Sequence, residues 1–341
     1  MDLRSDLSGV LHAYPADCQS EQIEGLGGAG GFSGAEFWRV HALRGALCLR
    51  RWPQEHPTRE GLDFIHLVLE YAARRGLKTV PPPIRTLAGT SWVYQHGHLW
   101  DLSPWLPGDS SFEREPGREK VEAGLRALAE FHLATADYPA TAGAMGVAPG
   151  IQRRLQQLQC WIAGGLDELS AAIADGDWPE FAFRARLILN EARRTAPAVW
   201  GELKRVATLV VPLQPCIRDI WHGHVLFVGR RVTGLVDFGS LEVDNVATDI
   251  ARLLGSMAGD RTSWWNAGAA AYGAVRRLSP EETVLVGVYD RSTVVISGLN
   301  WIDWVFRQRR QFADRPAVIR RLDGIVERMR LLSRNRNDPP L

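Results

Sequence analysis

Over the first hundred positions, short runs of alternating apolar and polar residues end at glycine or proline. EFWRVHAL at 36–43 and ALCLRRW at 46–52 flank Arg44-Gly45, a spacing that predicts an antiparallel hairpin. From Thr58 to Arg75 the period changes: Leu62, Ile65, Leu69 and Ala72/Ala73 recur at helical spacing until Gly76 ends the run. Pro81-Pro82-Pro83 forces an extended connector, and SWVYQHGHLWDL at 91–102 predicts a second hairpin turning at His96-Gly97. SPWLPGD at 103–109 is rich in turn residues and reads as a linker.

Beyond it the pattern is mainly helical. Residues 116–136 begin near Pro116 and turn Val121, Leu125, Leu128, Phe131 and Leu133 inward. Residues 150–205 predict two or three more helices. Strand signals return at 207–213, 225–228 and 232–236, and helices resume from 245 onwards. The expected class is therefore α+β. Residues 1–102 form a small antiparallel β-rich lobe, 103–109 a hinge, and 110–341 a larger α-helical lobe with a β insertion. A chain of 341 residues has room for two such lobes sharing a groove.

Composition removes several function classes. Lys+Arg is 40 against Asp+Glu 39, a balance without the basic excess of a nucleic-acid binder. Cys18, Cys48, Cys160 and Cys216 are widely spaced and form no CxxC pair, which argues against a disulfide framework or thiolate zinc site and fits a reducing compartment. The N-terminus carries charges and no apolar run, unlike a secretory signal, and no stretch approaches the ~20 apolar residues of a bilayer span. A cytoplasmic protein with neither membrane nor nucleic-acid partners is expected.

Candidate chemistry begins at GLGGAGGFSG, residues 25–34, with six glycines in ten positions. No Gly-Lys-Ser/Thr triplet follows, and the next segment reads as a strand rather than a helix, which disfavours a P-loop and a dinucleotide fold. A glycine loop between antiparallel strands is the remaining phosphate-binding design. Gly27, Gly28, Gly30 and Gly31 would let backbone N–H groups approach phosphate oxygens that a Cβ would keep away. Leu47-Cys48-Leu49-Arg50 then supplies a strand cation for phosphates, and arginine suits that task through its bidentate fork.

The second candidate is IRDIWHGHVLF at 217–227. As a zinc site, Asp219, His222 and His224 are crowded and have no neighbouring His or Cys cluster. Phosphoryl transfer accounts for more of these residues. It requires one carboxylate to take the acceptor's proton, another to hold a divalent cation, and a further metal ligand about five residues after the base. Arg218-Asp219 is followed five positions later by His224, and VLFVG, Arg230-Arg231 and VTGLV lead to Asp237-Phe238-Gly239. Two antiparallel strands with a short turn bring Asp219's loop and Asp237 together.

This stretch resembles the aminoglycoside phosphotransferase and choline kinase branch of the protein-kinase-like fold, whose loop runs His-Gly-Asp-Leu-His-x-x-Asn before a strand pair and an Ile-Asp-Phe/Trp motif. The resemblance implies a bilobal kinase-like fold and an ATP-dependent phosphotransferase acting on a hydroxyl of a small metabolite. It implies Asp219, with Arg218 beside it, as the catalytic pair and Asp237 with His224 as magnesium ligands. It further implies Asp249 as a brace of the loop and Leu102 to Trp105 as the hinge facing adenine. The chain departs from the pattern in three places: His224 stands for asparagine, Arg50 for lysine, and His66 stands about where the helix glutamate belongs, with Glu60 and Glu70 the nearest acids. Imidazole suits manganese better than magnesium. A nucleotide-binding pseudokinase without transfer is the alternative that these departures motivate, and a zinc hydrolase using His222 and His224 is a third.

Trp264-Trp265, Trp301 and Trp304, with Asp303, lie where relatives bind their acceptors and would suit a cationic substrate. The C-terminal segment from Val318 carries Ile319, Leu322, Val326 and Met329 at helical spacing among arginines, the pattern of an amphipathic helix packed on the lobe.

Overall fold

In the computed structural model residues 3–27, 34–174, 176–312 and 314–334 are described. The chain opens with helix α1 (Leu3–Leu11), then strands β1 (Ile23–Gly27), β2 (Glu36–Ala42) and β3 (Gly45–Arg51). Helix α2 (Arg59–Arg74) is capped by the Thr58 hydroxyl, which accepts from the Gly61 N–H. Strands β4 (Val93–Gln95) and β5 (His98–Pro104) complete an antiparallel five-stranded sheet in the order β1-β2-β3-β5-β4.

Strand alternation gives the sheet two different faces. Trp38, Leu49 and Leu102 stand opposite one another across β2, β3 and β5. They pack with Val40, Leu47 and Trp100 against Leu7, Val10, Leu11 and Tyr14 of α1 and its exit. One residue along, Phe37, Arg50 and Asp101 form the next row and point the other way, into the cleft. Strand β5 continues through Ser103 and Pro104, the first two residues of the expected linker, because its backbone stays paired with Cys48 and Leu47 of β3.

The rest is mainly helical around one continuous core. Helix α3 (Arg118–Thr135) is followed by β6 (Met145–Val147), α4 (Pro149–Cys160), α5 (Leu166–Ala172) and α6 (Pro179–Val206). Strands β7 (Val210–Pro212), β8 (Gln214–Cys216), β9 (Val225–Val228), β10 (Arg231–Leu235) and β11 (Glu242–Asp244) precede α7 (Ala247–Ala258), α8 (Thr262–Gly273), α9 (Pro280–Ile302) and α10 (Arg315–Arg334). The strand expected at 207–213 shrinks to β7, which pairs with distant β6. Strands β8 and β11 carry too few apolar positions to signal themselves, and β8 contains Pro215. No helix among the described residues is long and apolar enough to cross a membrane.

Two nested pairings position the polar loops. Strand β9 pairs with β10, and the flanking β8 pairs with β11. Residues 217–224 leave β8 at the same end at which 236–241 enter β11, so both loops are pulled to one place. The linker docks there too: Asp109 and Phe227 exchange backbone hydrogen bonds of 3.1 and 2.8 Å, and the Thr233 hydroxyl donates to the Pro107 carbonyl at 2.5 Å.

Gly108 makes that docking feasible. Its φ is +95°, and a Cβ there would stand 2.5 Å from the Phe227 carbonyl oxygen. Gly108→Ala should lower the unfolding free energy by about 1–3 kcal/mol, read as a lower urea midpoint at unchanged m-value. An unaltered midpoint would mean that the linker is not held against β9.

Candidate active site

Between the sheet and the loops lies a cavity of about 430 Å³, inside the ~300–1,000 Å³ range of small-molecule sites. Leu26, Phe37, Cys48 and Arg50 line it from the sheet, Ser103, Pro104 and Trp105 from the linker, and Trp221, His224 and Asp237 from the loops. Leu102, expected at the cavity with Trp105, is corrected by strand parity: its side chain is fully buried on the opposite face, in the core under α1. Of the glycine loop, Gly27 is described, with a φ of +59° and nothing within 4 Å of where a Cβ would sit. Gly28, Gly30 and Gly31 lie outside the described residues.

Arg50 is the cation of this cavity. It is 8% exposed, its Nη2 donates to Asp237 Oδ1 at 2.9 Å, and its guanidinium lies 3.3 Å from the centroid of the Trp52 ring. Its buried Nε has no hydrogen-bond partner among the described residues. An unspent N–H beside a carboxylate in a cleft of this size fits an oxyanion of a bound nucleotide. No glutamate of α2 reaches Arg50: Glu70 pairs with Arg85 at 2.7 Å, and Glu60 is exposed. A relay replaces that pair. The Trp52 indole donates to Asp101 Oδ2 at 2.5 Å, His66 Nε2 of α2 stands 3.4 Å from the same oxygen, and His66 Nδ1 meets Ser91 Oγ at 2.8 Å.

The loop from 217 to 222 is gripped by one face of α7. Asp249 accepts the Ile217 N–H at 2.7 Å and the Arg218 N–H at 2.6 Å, and its Oδ2 lies 3.0 Å from His132 Nε2. Burial keeps His132 neutral, so Nε2 donates to Asp249 while Nδ1 accepts from the Tyr272 hydroxyl at 2.8 Å. One turn along the helix Arg252 donates to Asp219 Oδ1 at 2.9 Å, and one turn further Ser256 Oγ accepts the His222 N–H at 3.0 Å. The Asp219 carboxylate is 53% exposed, so its ion pair contributes only ~0–1 kcal/mol and exchanges readily. Arg218 turns its side chain to Glu242, away from the cavity lining.

His224 ties the two aspartates together. Nδ1 lies 2.9 Å from the Asp219 carbonyl and donates to it. Nε2 accepts from the Trp221 indole at 2.8 Å and lies 3.5 Å from Asp237 Oδ2. Accepting the indole proton requires a neutral ring, and burial, outweighing both aspartates, lowers its pKa in agreement. Burial would raise the Asp237 carboxyl, but the charge and hydrogen bond of Arg50 and the Gly239 N–H outweigh it and hold it below the usual carboxylate value. Arg218 and Asp237 are two of four described non-glycine residues with positive φ, at +67° and +60°.

Asp237 and His224 Nε2 therefore offer a divalent cation an ionised carboxylate and one lone pair, the latter already shared with Trp221. The one set of three His, Cys, Asp or Glu groups at metal-binding spacing among the described residues is His132, Cys216 and Asp249. It is fully buried; Cys216 Sγ faces the Asp244 carbonyl, and the other two make the bonds above, so it is a structural network. Three of the four tryptophans expected at a cationic acceptor are committed to partners of this chain. Trp301 is core, edge-on to Trp304, and Arg261 and Arg310 of this chain lie over Trp264 and Trp304. The residues that sequence reasoning missed are Trp52, Asp101, Trp221, Arg252 and Ser256.

A family model described as the phosphotransferase enzyme family matches residues 26–282. A homoserine kinase of Methylobacterium nodulans is 29% identical over 248 residues, covering 71% of this chain and 69% of its own. A spectinomycin phosphotransferase solved with ADP and its antibiotic superposes with a TM-score of 0.65 at 13% identity, over 91% of this chain and 92% of its own. A microcompartment-associated aminopropanol kinase gives 0.63 at 14% identity, over 98% and 96%. These two structures share the bilobal fold.

His222 gives the site a pH signature. Burial, then Arg321, His224 and Arg252, lowers its pKa from 6.5 to about 4. Above pH 6.5 neither folded nor unfolded chain protonates it; between 6.5 and about 4 only the unfolded chain does, so stability is lost as the pH is lowered through this window and levels off below about 4. The share of His222 amounts to about 3 kcal/mol. His222→Gln should flatten the acid limb of urea midpoint against pH by roughly that amount; a limb as steep as in the wild type refutes the assignment.

Proposed function

The chain belongs to the phosphotransferase enzyme family, and on that premise we propose that it moves the γ-phosphoryl group of ATP to a hydroxyl of a small metabolite with Asp219 as the base. The observation that carries this reading is the His224 imidazole, which contacts the Asp219 carbonyl on one side and approaches Asp237 on the other. Both carboxylate-bearing loops thus border one cleft. The division into nucleotide and catalytic lobes at 103–109 belongs to the same reading.

When bound, ATP supplies the transferred phosphoryl group and its divalent cation offsets the charge on the phosphates. The chain's own residues would do the rest. Arg50, fixed on Trp52 and steadied by Asp101 and His66, turns its free Nε to the phosphates. Asp237, with His224, would hold the cation, with manganese accepted more readily than by an asparagine site. Asp219 takes the acceptor's hydroxyl proton on its carboxylate once Arg252 releases an oxygen. Pro104 and Trp105 flank the base-binding end of the cavity. Homoserine, the acceptor named for the curated relative, is the first to test.

Asp219→Asn should cut ADP release with the accepted substrate by about 10²–10⁴-fold, while thermal stabilisation by ATP with Mg²⁺ or Mn²⁺ stays at the wild-type level. Wild-type turnover in that variant would remove Asp219 from the role. A nucleotide sensor without transfer is the second reading, favoured by the Trp221 bond to the metal-facing nitrogen of His224. It would show as stabilisation by ATP with no ADP release over a panel of homoserine, choline and aminoglycosides. His224→Asn should shift the preferred cation from Mn²⁺ towards Mg²⁺ in the same assay; an unchanged preference would take His224 out of the cation's contacts.

A further inference from the structure

Trp221 borders the nucleotide cavity, and the guanidinium of Arg321, from α10, lies 4.6 Å from the centroid of one of its rings. This helix lies beyond the residues matched by the family model. Arg321 makes no ion pair with a carboxylate among the described residues. Burial and then Arg252 lower its pKa to about 10, with Asp219 and Glu113 opposing. Arg252 itself holds a single oxygen of Asp219. Arg252 thus holds the half-exposed Asp219 carboxylate, and Arg321, seated on the Trp221 ring of the same loop, is close enough to feel the charges of both.

A half-buried cation without a direct ion-pair partner is costly, and a second cation near it adds repulsion. Glu113 does not supply the missing charge directly: its nearest ion pair is with Arg320, at 3.9 Å. The wall next to the pair is apolar and neutral, with Phe112 stacked on His222 and meeting Trp264 edge-on. The Trp264 ring, one candidate for an ammonium group on this side, already carries Arg261 at 3.5 Å.

We propose that Arg252 and Arg321 form the anion-recognising half of the acceptor subsite, so that the acceptor carries a carboxylate close to its reacting hydroxyl, with Arg321 as a specificity-determining residue. The inference rests on Asp219 as the base, because the acceptor hydroxyl must sit where Arg252 now does. An incoming carboxylate takes the guanidinium of Arg252, frees Asp219 Oδ1, and gives Arg321 its counter-ion. Acceptor binding and exposure of the base are then one event.

Three acceptors of similar length separate the chemistry: 4-hydroxybutyrate carries only the carboxylate, 3-amino-1-propanol only the ammonium, and 1,4-butanediol neither. The wild type should phosphorylate 4-hydroxybutyrate and L-homoserine in preference to the other two. Arg321→Met should raise KM for the carboxylates about 10- to 100-fold with kcat, KM for ATP and the rate with 1,4-butanediol little changed. Arg321→Lys should recover part of that loss. Preference for the diol or the amine, or an unmoved KM in Arg321→Met, overturns the proposal and leaves the phosphotransferase reading intact. If no acceptor is turned over, titration calorimetry of 4-hydroxybutyrate with the AMP-PNP-loaded protein decides. Heat that disappears in Arg321→Met upholds the anion site while the transfer reading fails, and no heat in the wild type overturns the site.

Discussion

The two oxygens of Asp249 take the N–H groups of Ile217 and Arg218, and the shape of the polar loop follows from that clasp. Two consecutive amides reach one carboxylate only if the backbone bends sharply, and Arg218 does so at a φ of +67°. Left-handed conformations cost about 1–3 kcal/mol for a residue with a side chain. A buried carboxylate with charge-assisted bonds to both amides offsets that, and His132 and Tyr272 behind it fix its orientation. Breaking the clasp would leave two backbone donors in the interior, so the cost is the burial of unpaired groups as much as lost attraction. The nested β8–β11 and β9–β10 ladders then bring the strained Asp237 to the same point.

His224 couples the loops chemically as well as spatially. Its Nδ1 is occupied by a backbone carbonyl, so the tautomer is fixed and the lone pair is on Nε2, towards Trp221 and Asp237. A cation held by Asp237 and this nitrogen would have to displace the indole N–H of Trp221. The residue that restrains the imidazole also borders the cavity and carries Arg321 against a ring, so the proposed nucleotide, metal and acceptor sides meet at one tryptophan.

Much of this was legible from pattern. Both hairpins of the sheet, the capped helix from Thr58 and the pair of strands before Asp237 lie where alternation and turn residues indicated. Elements with little signal of their own were lost: α1, and the three-residue strands β8 and β11, which exist through their partners rather than through propensity. Leu102 shows a different failure, since a strand was recognised but its parity was not, and parity alone decides which face a residue joins. Arg252 and Ser256 were available in principle, spaced three and seven residues from Asp249 on one helix face. Trp52 with Asp101, and Arg321 with Trp221, were not, because only the tertiary fold joins positions so far apart in the chain.

The two loop aspartates, Asp237 in the cavity lining and Asp219 outside it, are each met by an arginine, and the surroundings of each pair decide what it does. Arg50 is 8% exposed and lies over the rings of Phe37 and Trp52, so its end of the pair with Asp237 is shielded from water and held in one geometry. Asp219 is 53% exposed and receives Arg252 from a single helix position, so water competes with the guanidinium throughout. The first arrangement favours a fixed anchor for a triphosphate. The second favours a contact that yields whenever a stronger anion arrives. In the proposed transfer, rigid charge facing the phosphates and exchangeable charge facing the acceptor match the two tasks, since the phosphates must be immobilised while the base must be released at each turnover.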